Sequence, residues 1–391
     1  MRIARSFRRR LSAGSGGVPA LTPEGVAALY GLDTFYQHGL HGQGETIAFL
    51  EFTLPNQRDD AAFWAKYSLQ PQLNRPATAR ILPAGKSTPA DLGETDLDLQ
   101  YAGALAPGSR LAAYVLDGEA TLGDFMCAVR RALRAVVADG IRIVSVSLGA
   151  GDLAAAEVGE IQDPVTGESW PDAATFASEL DAWITSQQLL CFVAAGDSGV
   201  YAGFPSGDGR VQASWPATQG AVIAVGGTQL ADAPDITSGE QAWGGQTLDA
   251  GLLGYNPSNT LPQASGGGGA SSFILAPARQ ASLGATMRLT PDVAAFAGPL
   301  TIVDRGVETP VWGTSAAAPI AAAIAALYHQ ATRRSLDHQV LAQTARDILD
   351  GNNLNSALLD AGLGEFAEAG PGFDLCTGAG VPDVAGLPGA G

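Results

Sequence analysis

Residues 122–148, LGDFMCAVRRALRAVVADGIRIVSVSL, join a helical pattern to an apolar, β-branched run. The same alternation recurs along the chain, which predicts parallel strands joined by helices that cover both faces of one sheet. The predicted strands are Thr46–Phe52, Arg110–Val115, Ile141–Leu148, Leu189–Ala195 and Ala221–Val225, and the predicted helices are Leu92–Leu105, Leu122–Ala138, Ala173–Gln188 and Ser315–Thr332. We therefore expect an α/β fold with its reactive groups at the carboxyl ends of strands.

The composition is that of a large folded domain. Of the 391 residues, 46% are hydrophobic and 16% are charged, so the chain can bury a core, and wholesale disorder is excluded. We predict a disordered basic tail over residues 1–20 and a single domain over residues 21–391. The Gly-rich segment Ser265–Ala270 lies inside that domain, and we interpret it as a tight loop near a ligand rather than as a linker.

Charge and hydropathy limit the partners. The net charge is −17, and because residues 1–17 contain five Arg and no acid, the remaining residues have 17 basic and 39 acidic side chains, a net charge of −22. Such a body repels nucleic acid and anionic membranes at neutral pH. The longest apolar stretch, Ala316–Tyr328, has 13 residues and is too short to cross a bilayer. No apolar segment typical of a secretory signal follows the basic N-terminus.

Cys127 and Cys191 lie in apolar surroundings and are interpreted as buried, inert thiols.

A candidate nucleophile is Ser315, in the stretch Trp312–Pro319 (WGTSAAAP) that opens an Ala-rich helix. A serine at a helix N-terminus lies near free backbone N–H groups and the positive end of the helix dipole. In isolation, a simple N-cap is the alternative that this position favours. None of the four histidines (His38, His41, His329 and His338) is placed to act as the base of a Ser-His-Asp triad.

Carboxyl groups offer another base. Glu94 and Asp98 are four residues apart and therefore share one face of a predicted helix, beside an apolar stripe that turns them towards the interior. Two partly buried carboxyls cannot both ionise cheaply, so one keeps its proton to higher pH. A solvated acidic face is the alternative.

A third acid, Asp197, follows the predicted strand Leu189–Ala195, in AAGDSG at 194–199. It could be an ordinary turn residue. A protonated carboxyl at this place could instead donate a hydrogen bond to a developing oxyanion. That role requires acid conditions or a raised pKa, since an ordinary Asp ionises near pH ~3.9.

Taken in order, these motifs resemble the sedolisin family of serine-carboxyl peptidases, in the subtilisin-like clan. The likeness extends from about Leu21 and includes GQGETIAFLE at 42–51, ALAPGSRLAAY at 104–114, SGGGGASS at 265–272 and TPDVAAFA at 290–297. It implies a subtilisin-like fold and an acid-acting endopeptidase. By resemblance, Ser315 is the nucleophile, Glu94 the general base and acid, Asp98 its orienting partner, Asp197 the oxyanion acid and Glu51 an outer carboxyl.

The resemblance also implies one structural Ca²⁺. Two carboxylates and several main-chain carbonyls near Gly residues suit this ion, which prefers oxygen ligands. Taken alone, the same Asp and Gly residues are also explained as turn-forming residues. The matching residues are Asp347, Ile348, Gly370, Gly372 and Asp374, with main-chain oxygens from Ile348, Gly370 and Gly372. Protein or peptide substrates, a monomeric state and an extracellular location are further expectations, although no signal peptide is visible.

Three features depart from the family pattern. Trp312 precedes the GTS motif where Gly is common and is expected to narrow the cleft, and Leu148 stands in SVSLG where Trp is common. Only about twenty residues precede the matching region, whereas family members are made with a long propeptide. An inactive homologue that binds peptides is therefore the second hypothesis.

Overall fold

A computed structural model describes residues 5–6, 9–10, 20–82, 92–116, 121–202, 204, 209–231, 235–245 and 263–387. Its strands are β1 (Arg5–Ser6), β2 (Arg9–Arg10), β3 (Thr46–Glu51), β4 (Thr78–Ile81), β5 (Arg110–Val115), β6 (Ile143–Val146), β7 (Leu148–Gly151), β8 (Ile161–Gln162), β9 (Ser169–Trp170), β10 (Leu190–Ala194), β11 (Ser214–Trp215), β12 (Ile223–Leu230), β13 (Glu240–Ala242), β14 (Gly269–Leu275), β15 (Met287–Thr290), β16 (Val293–Phe296), β17 (Leu300–Asp304) and β18 (Val307–Trp312).

Helices alternate with the strands of the central region. They are α1 (Pro23–Leu29), α2 (Asp33–Tyr36), α3 (Gln57–Tyr67), α4 (Leu92–Leu105), α5 (Leu122–Ala138), α6 (Asp152–Ala156), α7 (Ala173–Ser186), α8 (Thr314–Thr332), α9 (His338–Thr344) and α10 (Ser356–Asp360), with short 3-10 helices at Ile236–Ser238, Ala278–Leu283 and Val384–Gly386. None of the helices within the described ranges is long and apolar enough to span a membrane.

The central sheet has eight strands in the order β13-β12-β10-β6-β3-β5-β4, with β16 also paired to β12. Seven of them are parallel, and only β13 is antiparallel to its neighbour. The carboxyl ends of β3, β6 and β10 are adjacent, because these three strands are neighbours in the sheet. The predicted α/β fold with a mainly parallel sheet is confirmed.

Side chains alternate between two apolar cores, as a sheet buried on both faces requires. In β3, Ile47 and Phe49 belong to the core that also contains residues of α4 and α8, whereas Ala48 and Leu50 belong to the core that contains residues of α5 and α7. Every residue of α8 from Thr314 to Tyr328 is buried. Its many alanines allow close packing against both the sheet and α4.

Two strand predictions need adjustment. Residues 141–148 do not form one strand: β6 ends at Val146, and β7 leaves the central sheet to pair antiparallel with β11. The strand predicted at Ala221–Val225 begins at Ile223 and continues to Leu230, because its second half pairs with β13 and β16. Both differences arise from tertiary pairing, which apolar runs alone do not specify.

The loop predicted at Ser265–Ala270 is tight as far as Gly268, and β14 begins at Gly269. A Cβ atom on Gly267 would lie 2.1 Å from the Ala195 carbonyl oxygen, and one on Gly268 would lie 1.9 Å from the Leu375 carbonyl oxygen. The backbone N–H of Gly267 donates to the Gly196 carbonyl. The glycines therefore allow this loop to lie against the segment that contains Asp197.

Of the predicted N-terminal tail, β1 and β2 are described. β1 pairs antiparallel with β7, and β2 pairs antiparallel with β18. The disorder predicted for the tail as a whole stays a prediction, because its other residues up to 19 lie outside the described residues.

Cys127 and Cys191 are buried and not in disulfide bonds, as predicted. Burial raises the pKa of the Cys127 thiol to about 12, and burial also raises the pKa of Cys191. Both therefore remain protonated thiols.

Gly103, within α4, should not tolerate a side chain. A Cβ atom there would lie 2.7 Å from Cζ2 and Nε1 of Trp64, which is 4% exposed. The overpacking outweighs the better helix propensity of alanine, so Gly103→Ala should lower the free energy of unfolding by about 1–2 kcal/mol, measured by urea denaturation.

Gly123→Ala, in α5, is the matched control. Its Cβ would lie 3.5 Å from Cγ1 of Val158, an ordinary contact. This variant should be neutral or more stable by about 0.4–1 kcal/mol, since alanine restricts the unfolded chain. Equal effects of the two substitutions would contradict the close packing of α3 on α4.

Candidate active site

Ser315 is the second residue of α8. The N-cap is Gly313, whose φ of 156° is accessible to glycine, so the alternative that Ser315 caps the helix is wrong. Ser315 is fully buried, and its hydroxyl forms no hydrogen bond with the residues that the structure describes. The side chain is therefore present at the helix N-terminus with an uncommitted Oγ.

Thr314 connects this helix end to Asp197, which lies beyond the carboxyl end of β10. Oδ1 of Asp197 accepts hydrogen bonds from the Thr314 backbone N–H at 2.8 Å and from Thr314 Oγ1 at 2.9 Å. The Thr314 hydroxyl also accepts from the Gly196 backbone N–H at 3.0 Å. These bonds place Asp197 beside the residue that precedes Ser315. The role of Thr314 is missed by sequence reasoning, although the residue belongs to the GTS motif.

Two further acids, Glu51 and Asp98, meet at the carboxyl end of β3. Both are fully buried, and Glu94, one helical turn before Asp98 on α4, is 3% exposed. The solvated acidic face considered for Glu94 and Asp98 is therefore wrong. α4 brings these two groups to the central sheet because its neighbouring apolar residues pack in the core shared with α8.

The environment of Glu51 and Asp98 favours one proton shared between the two carboxyls. Burial and the Glu94 charge raise the pKa of Glu51 well above its usual value, and burial together with Glu51 and Glu94 does the same for Asp98. Oε1 of Glu51 and Oδ1 of Asp98 accept no hydrogen bond from a described donor. Two such carboxyls can satisfy each other only when the pair carries a proton. The arrangement can store a proton and release it.

Hydroxyl groups surround this pair, and sequence reasoning missed them. Ser147 Oγ donates to Asp98 Oδ2 at 2.6 Å and lies 3.3 Å from the Ser315 carbonyl oxygen. Thr95 Oγ1 lies 3.2 Å from Glu51 Oε2 and 2.7 Å from Thr53 Oγ1. The available signal was a polar side chain, Ser147, close to the end of the mainly apolar run IRIVSVSL.

All four histidines have other partners, as the sequence indicated. His329 Nδ1 lies 2.9 Å from Glu45 Oε2, and His338 Nε2 lies 2.9 Å from the Val222 carbonyl oxygen. His38 Nδ1 lies 2.8 Å from the Thr34 carbonyl oxygen, and His41 stacks on Tyr36. None forms a hydrogen bond with Ser315 Oγ. A histidine base is therefore unsupported.

Two strand edges border the site. β7 begins directly after Ser147, and β18 ends at Trp312, three residues before Ser315. Both edges accept an extended segment of this chain, since Ser6 aligns with Leu148 and Arg9 aligns with Trp312. An extended backbone can thus pair with the strand that follows Ser147 and with the strand that leads to Ser315.

Two of the departures from the family pattern, Leu148 and Trp312, have side chains that pack against other residues. Leu148 is fully buried in the core next to α5. Trp312 is half-buried and packs against Trp243, Ala264 and Ala297. The narrowing predicted for Trp312 stays a prediction.

The residues predicted to bind calcium lie together near the C-terminus. The Gly372 N–H donates to Asp347 Oδ2 at 2.8 Å, and the Gly370 N–H donates to Asp374 Oδ2 at 3.2 Å. Ile348 is buried beside Asp347. Asp347 Oδ1 is itself buried and has no hydrogen-bond partner among the described residues. An orphaned carboxylate oxygen next to two glycine segments fits a hard cation.

The acid pair should make the protein less stable as the pH rises. The Glu51–Asp98 pair keeps its proton in the folded state above pH ~4, where the same acids in the unfolded chain lose theirs, so stability is lost as the pH rises towards the raised pKa values. Acids with lowered pKa, such as Glu168 at about 2 beside Arg130, lose their contribution only below pH ~4. Between pH 4 and pH 7 the buried acids with raised pKa therefore lower stability as the pH rises, whereas His41, whose pKa is lowered by burial, contributes with the opposite sign. A comparison of two variants over this window separates the acid pair from these other groups.

Glu51→Gln should reduce this pH dependence, because an amide can donate to Asp98 without a shared proton. The measurement is the urea midpoint between pH 4 and pH 7. Glu365→Gln, at an exposed position, is the control for the loss of one negative charge. An identical slope in wild type and Glu51→Gln would contradict the shared proton.

Comparisons with known proteins identify the family and the fold. A sequence model described as "Subtilase family" matches residues 85–364. The chain is 31% identical to kumamolisin of Bacillus sp. (strain MN-32) over 387 residues, which cover 94% of this chain and 63% of that protein. It is 30% identical to sedolisin of Pseudomonas sp. (strain 101) over 318 residues, which cover 75% of this chain and 48% of that protein. The chain thus spans about half to two thirds of the length of these curated relatives.

A solved structure supports the fold. Pseudomonas sedolisin, described as a serine-carboxyl proteinase and complexed with two molecules of pseudo-iodotyrostatin, superposes with a TM-score of 0.70 and 24% identity, over 95% of this chain and 97% of that chain. The subtilisin-like fold and the likeness to sedolisins expected from the motifs are confirmed. The chain belongs to the subtilase family, within its sedolisin-like branch.

Proposed function

We propose that this protein is an acid-acting endopeptidase that cleaves peptide bonds through an acyl-enzyme on Ser315. The observation that carries the proposal is a buried cluster of carboxyl groups beside a serine that no histidine contacts. Glu94 is assigned as general base and acid, Asp98 as its orienting partner and Asp197 as the oxyanion donor. Glu51 holds a proton behind them.

In the first half of the reaction, Glu94 accepts the Ser315 proton while Oγ forms a bond to the peptide carbonyl carbon. The carbonyl oxygen becomes an oxyanion, to which protonated Asp197 donates a hydrogen bond. The C–N bond then breaks, and the proton on Glu94 passes to the leaving amine. In the second half, water replaces the amine: it gives a proton to Glu94, attacks the ester and releases Ser315 with its proton restored.

The strand edges support a peptide as the substrate. β7, which follows Ser147, and β18, which leads to Ser315, both pair with extended backbone of the same chain. A substrate that adopts the same extended form would form main-chain hydrogen bonds there, as in other cases of strand addition. This supports recognition of the substrate mainly through its peptide backbone rather than through a particular side chain.

Ser315→Ala should abolish peptide hydrolysis. Ser315 Oγ has no hydrogen-bond partner among the described residues. The substitution should therefore change the free energy of unfolding by no more than roughly 0.5 kcal/mol, as most neutral substitutions do. The assay is release of a fluorophore from a quenched peptide, between pH 2 and pH 8. Activity should be highest below neutrality, because the oxyanion role proposed for Asp197 requires a protonated carboxyl.

Full activity of Ser315→Ala, or an optimum in the alkaline range, would overturn the proposed mechanism. A second candidate is a peptide-binding homologue without turnover, and it is favoured because Ser315 Oγ has no hydrogen bond to any residue within the described ranges. That candidate predicts peptide binding with no hydrolysis at any pH in this range. The same assay, combined with a binding measurement on the quenched peptide, separates the two.

We also propose one structural Ca²⁺ at Asp347, Ile348, Gly370, Gly372 and Asp374. Asp347 and Asp374 would supply carboxylate oxygens, and the other three residues would supply main-chain oxygens. The ion would join the segment after α9 to residues 370–374 and stiffen the fold. An extracellular location, a monomeric state and the absence of nucleic-acid and membrane partners stay predictions.

Calcium should raise the thermal midpoint of the wild-type chain. A concentration one hundred times the Kd stabilises by about 2.7 kcal/mol. Asp347→Asn should remove most of this shift, because it replaces the orphaned Oδ1 carboxylate. Asp360→Asn, at an exposed carboxylate, is the control. A midpoint that does not respond to calcium or to a chelator would contradict the site.

A further inference from the structure

Ser147 occupies the point where three parts of the site meet. It lies between the end of β6 and the start of β7 and is fully buried. Its Oγ is 2.6 Å from Asp98 Oδ2, on α4, and 3.3 Å from the Ser315 carbonyl oxygen, on α8. One small side chain therefore contacts both the carboxyl cluster and the main chain of the assigned nucleophile.

The hydroxyl of Ser147 has one proton to donate, and the shorter contact assigns it to Asp98. With Oδ2 held in this way, Oδ1 of Asp98 is left to interact with the neighbouring carboxyls. A hydroxyl does not titrate between pH 2 and pH 8, so the bond to Oδ2 can persist whichever carboxyl carries the shared proton. Asp98 is thereby held in one orientation.

We propose that Ser147 is a positioning residue for the reaction, which orients the Asp98 carboxyl by donating a hydrogen bond from its Oγ. The inference rests on the proposed function, because it assigns Asp98 a part in the chemistry. Ser147 itself contacts no reacting atom. Its effect passes through Asp98 to Glu94.

The direction of the pH effect follows from the surrounding charges. Burial, Glu51 and Glu94 raise the pKa of Asp98, while the Ser147 hydrogen bond lowers it. Asp96 acts in turn on Glu51 and also raises its pKa. Removal of the hydroxyl leaves the raising effects unopposed, so the cluster binds its protons more tightly. The acidic limb of the rate profile should then move to higher pH.

Ser145 provides a matched control. It lies two residues earlier, on β6, and alternate residues of a strand share a face. Ser145 is also fully buried, and its Oγ has no hydrogen-bond partner among the described residues. Alanine at either position removes one buried hydroxyl from nearly the same place, and only one of the two contacts the carboxyl cluster.

The experiment measures kcat and KM of the full chain from pH 2 to pH 8 with the quenched peptide. Ser147→Ala should lower kcat by about 10-fold to 100-fold, with a smaller change in KM, since misplaced groups cost rates of this order. Its acidic limb should lie at higher pH than that of wild type. Ser145→Ala should retain the wild-type kcat and profile. Equal profiles for the two alanine variants would overturn the inference.

A second pair keeps the test valid if Ser147→Ala does not fold. Ser147→Thr and Ser147→Val have the same shape and differ in the hydroxyl alone. The kcat of the threonine variant should exceed that of the valine variant by about 10-fold. The acidic limb of its pH profile should also lie at lower pH than that of the valine variant. Equal kcat and equal profiles would refute a positioning role. Activity in Ser315→Ala would instead refute the proposed function, so the two failures are distinguishable.

Discussion

The burial of Glu51 against Asp98 is the interaction on which the rest of the site depends. Two carboxyls removed from water repel each other when both are charged, and one proton between them turns that repulsion into a hydrogen bond. β3 supplies one member and α4 supplies the other, so the proton also joins a strand to a helix. Thr95 and Ser147 provide the remaining hydrogen bonds. The chemistry assigned to Glu94 is built next to this pair.

The parallel sheet explains how residues distant in sequence reach one place. Glu51 ends β3, Ser147 follows β6 and Asp197 follows β10, and these three strands are neighbours with their carboxyl ends on one edge. α8 then delivers Ser315 to the same edge. The glycine loop at 266–268 lies against the Asp197 segment because no Cβ atoms separate the two backbones. Sheet order and glycine packing thus shape the site together.

Much of this arrangement could be predicted from the amino-acid sequence. Alternating apolar runs and helical patterns predicted the α/β fold, and the bounds of α4 and α5 were predicted to the residue. Motif resemblance identified the acids and the serine, which the structure finds buried. Ser147 and Thr314 were missed, because a hydroxyl has a role only through what it touches. The break between β6 and β7 was also missed, since pairing with β11 is a long-range choice that an apolar run does not encode.

The pairing of β1 and β2 with the two strand edges affects how binding data on the full chain are interpreted. If a peptide binds at these edges as proposed, a segment tethered to the same molecule competes with it for the same main-chain groups. The apparent dissociation constant then equals the intrinsic one divided by the fraction of molecules whose edges are open. A weak apparent affinity would thus reflect how often β1 and β2 cover the strand edges, as well as how well the added peptide fits them.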